Sequence, residues 1–151
     1  MSVFGLSDEV LGGRTVVTGV IGEDIHVVGL RIVEHALRGA GARVVSVGVQ
    51  AAIADFVDAV MEAAADAVFV SSSNGHAATS CDGLRDALIE AGREDILLFI
   101  GGHLVVGRAD DWDEIERTFT GLGFNGVYPP RTDPTVAIAD LGRALDAGAP
   151  S

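Results

Sequence analysis

The chain has 151 residues, 48% of them apolar, a formal net charge of −12, and ten basic residues that are all arginine. That length suits one domain with a single sizeable core, and the acidic balance repels phosphate backbones, which argues against a nucleic-acid partner. The lack of lysine excludes Schiff-base chemistry and a P-loop lysine, no apolar run approaches the roughly 18 residues of a membrane span, and one cysteine, Cys81, excludes an intrachain disulfide and fits a reducing cytoplasm.

Residues 1–13 read as a loose lead-in, without the basic start and long apolar block of a signal peptide. TVVTGVI (15–21) is β-branched and flanked by glycines, a buried strand. Leu30, Val33 and Leu37 recur at helical spacing until Gly39 and Gly41. RVVSVGV (43–49) is a second strand, and Ile53, Val57 and Val60 mark one face of a second helix. DAVFVSSS (66–73) is a third strand running into a polar loop, and Leu84 and Leu88 belong to a third helix that ends near Gly92. DILLFIGG (95–102) is a fourth strand. Trp112, Ile115 and Phe119 predict a fourth helix, capped by Asp110 or Asp111. FNGVYPP (124–130) is a short fifth strand, Asp133-Pro134 starts the last helix, and Ile138, Leu141 and Leu145 face inward on it.

Five strands alternating with five helices predict an α/β fold: a doubly wound, flavodoxin-like (Rossmann-like) parallel sheet with helices on both faces. Such a sheet commonly has strand order 2-1-3-4-5 and binds ligands beyond the carboxyl ends of its strands, near the switch point between strands 1 and 3. That topology gathers four loops, Gly22–Gly29, Ser71–His76, Gly101–Gly107 and Tyr128–Thr132, all rich in Gly, Ser, His or Pro. A phospho-receiver would need an aspartate ending strand 3 and a lysine after strand 5; the chain has Ser71-Ser72-Ser73 and no lysine. A flavin phosphate loop would want hydroxyls after strand 1, and Val20-Ile21-Gly22-Glu23-Asp24 offers none. Asp24-Ile25-His26 suits a metal-ligating imidazole whose second ring N–H goes to a carboxylate, although a lone histidine is more often a surface or satisfied core residue.

Asp24-x-His26-x-x-Gly29, the serines at 71–73 and Gly101-Gly102 resemble the cobalamin-binding signature of adenosylcobalamin-dependent mutases. GHAATSCDGLR (75–85), FIGGHLVVGR (99–108) and GFNGVYPPRTDP (123–134) are similar to the small subunit of glutamate mutase (methylaspartate mutase), so the resemblance runs over about residues 14–147. It implies that His26 is the lower ligand of cobalt in place of the cofactor's own benzimidazole, and that Asp24 accepts its other N–H. Gly29 would let the next helix pass close to the corrin. The displaced nucleotide tail would enter a slot between sheet and helix, with Ser71 on its base, Ser73 and Gly101-Gly102 at its wall, and Tyr128, Pro129 and Thr132 along the same side. The cofactor implied is adenosylcobalamin, and the partner a large barrel-type mutase subunit that supplies the substrate pocket; no catalytic residue is expected in this chain alone. The reaction expected is glutamate to 3-methylaspartate or rearrangement of a related acid. A corrinoid carrier for methyl transfer is the rival, although such proteins usually add a helical bundle that residues 1–13 are too short to form.

The chain departs from the family pattern at several places. Ser71-Ser72-Ser73 stands for serine-x-leucine, Asn74 for an aromatic, His103 for asparagine, and Arg131 for a glycine in the YPP turn, where a phosphate or the partner could be met. His35 is expected on a solvated helix face, His76 at the border of the site, Cys81 as a small buried residue, and the scattered acids on solvated helix faces.

Overall fold

The computed structural model describes residues 10–22, 28–72, 77–102, 104 and 112–148. In chain order these form β1 (Thr15–Val20), α1 (Val28–Gly39), β2 (Arg43–Ser46), α2 (Ile53–Ala63), β3 (Ala67–Ser71), α3 (Ala77–Cys81), α4 (Leu84–Glu90), β4 (Leu97–Gly101), α5 (Trp112–Gly121), β5 (Gly126–Tyr128) and α6 (Pro134–Gly148). The sheet is five-stranded and parallel in the expected order, β2-β1-β3-β4-β5.

Side chains alternate across the sheet, so each strand feeds two cores. Val17, Val68, Val70, Leu98 and Ile100 pack with Phe56, Val60, Leu88 and Phe119 on one face. Val16, Ala67, Phe69, Phe99 and Tyr128 pack with Leu37, Ile138 and Leu141 on the other. The second helix buries Phe56, Ala59 and Val60, while Ile53 and Val57 only flank that core. Cys81 is buried, as expected, and burial pushes its thiol up to about 12. Among the described residues, no helix is long and apolar enough to cross a membrane.

Three elements differ from the expected ones, each for a local backbone reason. The second strand stops at Ser46 because Gly48 and Gln50 take positive φ, +82° and +53°. Hydrogen bonds to β1 nevertheless continue, Val47 N to Thr18 O and Gly48 O from Val20 N, both 2.8 Å. The third helix is two pieces, because Gly83 at φ +93° breaks the run between Cys81 and Leu84. The fifth strand starts at Gly126 because the Asn125 side chain, not its backbone, accepts the Leu98 N–H at 2.9 Å, and it ends before Pro129, which has no N–H to donate. Arg85, within a quoted motif, proves structural: it donates to the carbonyls of Gly123 and Ile96 and to Asn125 Oδ1, tying α4 to the turn before β5.

One acid contradicts the expectation of solvated helix faces. Glu34 of α1 is fully buried; its carboxylate accepts from Thr18 Oγ1 on β1 at 2.5 Å and from Arg31 Nη1 at 2.5 Å. Thr18 pairs with Ser46 across the β1–β2 register, so the acid lies over the two strands where hydroxyls, not apolar residues, face α1. Burial alone would raise its pKa, but hydrogen bonds from Thr18, Arg31 and Ser46 and the Arg31 charge outweigh that, and it titrates below the ordinary carboxylate range. His35, next to it, is exposed as expected.

Two outcomes follow. A carboxylate whose folded pKa is depressed contributes stability in full above its unfolded value, near 4.3, and loses it as pH falls through the folded one. Denaturant unfolding at pH 7 down to pH 2 should therefore show an acid limb that is shallower in Glu34→Gln than in wild type. At Gly126 an added Cβ would lie 2.5 Å from Phe99 Cδ1 and 2.9 Å from Tyr128 Oη. Gly126→Ala should cost about 1–3 kcal/mol in the same measurement, because the Phe99 and Tyr128 rings must shift to admit the methyl group.

Candidate cofactor site

The strand register fixes what the carboxyl end of the sheet offers on the α1/α6 face. Val20, Ser71, Gly101 and Tyr128 form its last row, and Thr18, Phe69, Phe99 and Gly126 the row below. Between Val20 and Tyr128 the last row therefore carries only a hydroxymethyl and a hydrogen. Helices α1 and α6 cannot close on so little side chain, and a cavity of about 160 Å³ remains. Ser71, Gly101, Gly102 and Phe69 form its floor; Gly29, Ile32 and Val33 its α1 wall; Arg131, Thr132 and Pro134 its far wall.

Each wall residue has a local reason to be there. Gly29, Ile32 and Val33 are three and four apart, hence one face of α1. Gly29 sits in the first turn, without positive φ, and an added Cβ would meet no atom of the described residues within 4 Å. Neither backbone conformation nor internal packing requires glycine there, although glycine weakens a helix by about 1 kcal/mol relative to alanine. The space that its missing side chain leaves belongs to the cavity. Gly102 is different: at φ +117°, a Cβ would lie 2.1 Å from the Ser72 carbonyl oxygen, so the turn after β4 admits no side chain. Ser71 is 6% exposed, and its hydroxyl has no hydrogen-bond partner among the described residues, which leaves it free to donate or accept inside the cavity.

The β5–α6 connection is closed from within. Thr132 donates from Oγ1 and from N to the Pro129 carbonyl, at 2.7 and 3.3 Å. Asp133 Oδ1 accepts from Thr135 N and Oγ1, both 2.9 Å, capping α6; those bonds hold its carboxyl below the ordinary range. The expected Asp133-Pro134 start is thus as observed. Arg131 lies at φ +66°, the left-handed region in which a glycine would be unstrained.

Of the residues singled out from the sequence, Gly29, Ser71, Gly101, Gly102 and Thr132 line this one cavity. Tyr128 does not. Its ring lies near-parallel to Phe69 at 6.4 Å and edge-on to Phe99 at 6.1 Å, and its hydroxyl donates to Asp140 Oδ2 at 2.7 Å. Burial, with the Asp140 contact, pushes its phenol well above the ordinary value. The tyrosine therefore backs the floor instead of lining it. Pro129 is exposed and contributes its carbonyl to the turn. Asp24, His26, Ser73 and His76, with Asn74, His103, Asp110 and Asp111, lie outside the described residues. Ile32, Phe69 and Pro134 were not singled out. Ile32 was readable as Gly29 plus three, and Phe69 as two before Ser71 on the same strand face.

A larger cleft, about 390 Å³, lies beyond Tyr128 along the edge strand, between Glu116 and Thr120 of α5 and Asp140 and Ala144 of α6. Two carboxylates make it a poor host for a phosphodiester, and Gly29, Ser71, Gly101 and Gly102 do not reach it.

Residues 14–121 match the B12 binding domain family. The glutamate mutase sigma subunit of Clostridium tetani is 45% identical over 133 residues, 88% of this chain and 96% of that one. Glutamate mutase sigma subunit 1 of Haloarcula marismortui is 49% identical over 128 residues, 85% of this chain and 83% of that one. A cobalamin-binding protein from Desulfitobacterium hafniense shares the fold, with a TM-score of 0.72 at 22% identity, over 87% of this chain and 59% of that one. The chain belongs to the B12-binding domain family and, within it, to the glutamate mutase sigma subunits.

Proposed function

We propose that this chain, as one domain, is the cytoplasmic cobalamin-carrying subunit of an adenosylcobalamin-dependent isomerase that interconverts glutamate and 3-methylaspartate, working with a large barrel-type subunit that encloses the substrate. The observation that carries the reading is the α1/α6 cavity, which is lined by Gly29 of the Asp24-x-His26-x-x-Gly29 signature together with Ser71, Gly101 and Gly102. The near end-to-end match with sigma subunits favours a mutase subunit over a methyl carrier.

The residues present suit a displaced nucleotide tail. A ring needs an apolar floor and helix wall, which Phe69, Ile32 and Val33 provide. A ring nitrogen needs a hydrogen-bonding partner, and the Ser71 hydroxyl is uncommitted. Passage into the slot needs clearance, and Gly29 and Gly101 leave it. The cavity is smaller than the roughly 300–1,000 Å³ of a drug-sized ligand's pocket, so it takes the tail while the corrin lies outside it. Asp24 and His26 belong to the segment between β1 and α1, the segment that Gly22 opens and Gly29 follows. There His26 would hold cobalt through one ring nitrogen, and Asp24 would fix the tautomer through the other. Bound adenosylcobalamin supplies homolytic cobalt–carbon chemistry. The protein's share is to hold the axial nitrogen, seat the tail and present one face to the partner, which excludes water from the interface.

His26→Ala should abolish the base-off absorbance change on titration with adenosylcobalamin, and with the large subunit present should reduce turnover of glutamate at least about a hundredfold. Wild-type affinity in the variant would sink the assignment. Gly29→Leu separates clearance from folding. Its melting temperature should match or exceed wild type, because leucine favours helix, while cobalamin affinity falls at least about tenfold; unchanged affinity would remove Gly29 from the site.

A further inference from the structure

We propose that Arg131 is a specificity-determining residue of this chain, an anion clamp at the mouth of the α1/α6 cavity that grips the phosphodiester of the cofactor's nucleotide tail. The inference rests on the cavity's being the tail site and goes beyond it in assigning a charged contact.

Three independent observations meet at this residue. Among the described residues, Arg131 is the single charged one lining the cavity; the other described walls are apolar side chains, glycines and hydroxyls. Among the described residues it has no hydrogen-bond or ion-pair partner, in a chain with 22 acids and ten arginines. The side chains of Arg38, Arg43 and Arg117 share that lack but do not line the cavity, whereas Arg14, Arg31, Arg85, Arg93 and Arg143 all have such partners. Finally, its backbone is held at φ +66° by a turn closed through Thr132 and Pro129, a conformation that costs a non-glycine residue stability. A cation kept at a strained position, without an internal partner and beside a ligand cavity, is placed for a ligand's negative group.

The chemistry selects the group. The tail joins base to corrin through ribose and one phosphodiester, a planar-accessible anion that a guanidinium can grip with two N–H donors. With the base on the Ser71 floor, the linker must leave toward solvent, and Arg131 is an exposed residue of the far wall, at its solvent edge. The alternative, a carboxylate of the large subunit, makes a different prediction for the isolated chain.

The test measures affinity of the chain, alone and with the large subunit, for adenosylcobalamin and for adenosylcobinamide, which lacks the phosphodiester, ribose and base. Wild type is compared with Arg131→Lys, Arg131→Gln and Arg131→Gly. We expect adenosylcobalamin affinity to fall at least about tenfold in the glutamine and glycine variants and to be largely retained by lysine. Adenosylcobinamide should bind all four alike. Arg131→Gly should melt no lower than wild type, since glycine relieves the strain. Equal adenosylcobalamin affinity across the four proteins overturns the clamp and leaves the tail site standing. Losses that occur only in large-subunit association overturn it in favour of a partner contact. A wild type that binds cobinamide as tightly as cobalamin overturns the tail site itself, and the clamp with it.

Discussion

A parallel sheet must be covered on both faces, and covering requires side chains for the helices to rest on. Across the carboxyl end of this sheet, on the α1/α6 side, the central strands present Ser71 and Gly101 where bulky apolar residues would let the helices close. The proposed cofactor slot depends on that shortage. On the opposite face Val70 and Ile100, the immediate neighbours in sequence, point into a core with Phe56 and Phe119. One-residue alternation thus makes the same strand ends a closed core on one side and an open slot on the other.

An open slot weakens the packing of the helices that flank it, and the structure compensates with polar ties. Glu34 anchors α1 to the centre of β1 through Thr18, and Tyr128 anchors β5 to α6 through Asp140. Asp140 in turn pairs with Arg143. A buried carboxylate is weak evidence for stability as such, since its desolvation offsets much of what its partners contribute. Its value here is geometric: a fully bonded acid admits one placement of α1, and Gly29 stands on that helix one turn and a half before it. The polar contact thus places α1 over the strands, and the small side chains of Ser71 and Gly101 leave the space beneath it.

Much of this was legible in the sequence. The strands and their order followed from β-branched runs between glycines, and the glycine- and serine-rich loops fell on one rim because that topology puts them there. The signature residues Gly29, Ser71, Gly101 and Gly102 fall on one cavity at that rim. What the sequence did not disclose was tertiary. Glu34 follows Val33 on a helix whose two arginines, Arg31 and Arg38, face water, and nothing local marks it as buried until Thr18 and Ser46 are seen opposite. Tyr128 shares a segment with Thr132, yet Gly126 leaves room for its ring to fold back over Phe99 toward Asp140. The split after Cys81 came from a single glycine φ, and the inner role of Phe56 from one helical position's difference in phase. Arg131 was visible as a departure from a glycine, but only the positive φ and the missing partner give that departure a physical meaning.

The account turns on a nitrogen from the protein, rather than the cofactor's own base, sitting below cobalt while the tail occupies the slot. The most direct measurement is electron paramagnetic resonance of the cobalt(II) form bound to chain labelled with ¹⁵N-histidine. The account predicts superhyperfine splitting from one axial nitrogen that changes from the ¹⁴N to the ¹⁵N pattern on labelling. A splitting unchanged by the label would mean that the cofactor keeps its own base, and would contradict the assignment of His26 and the slot together.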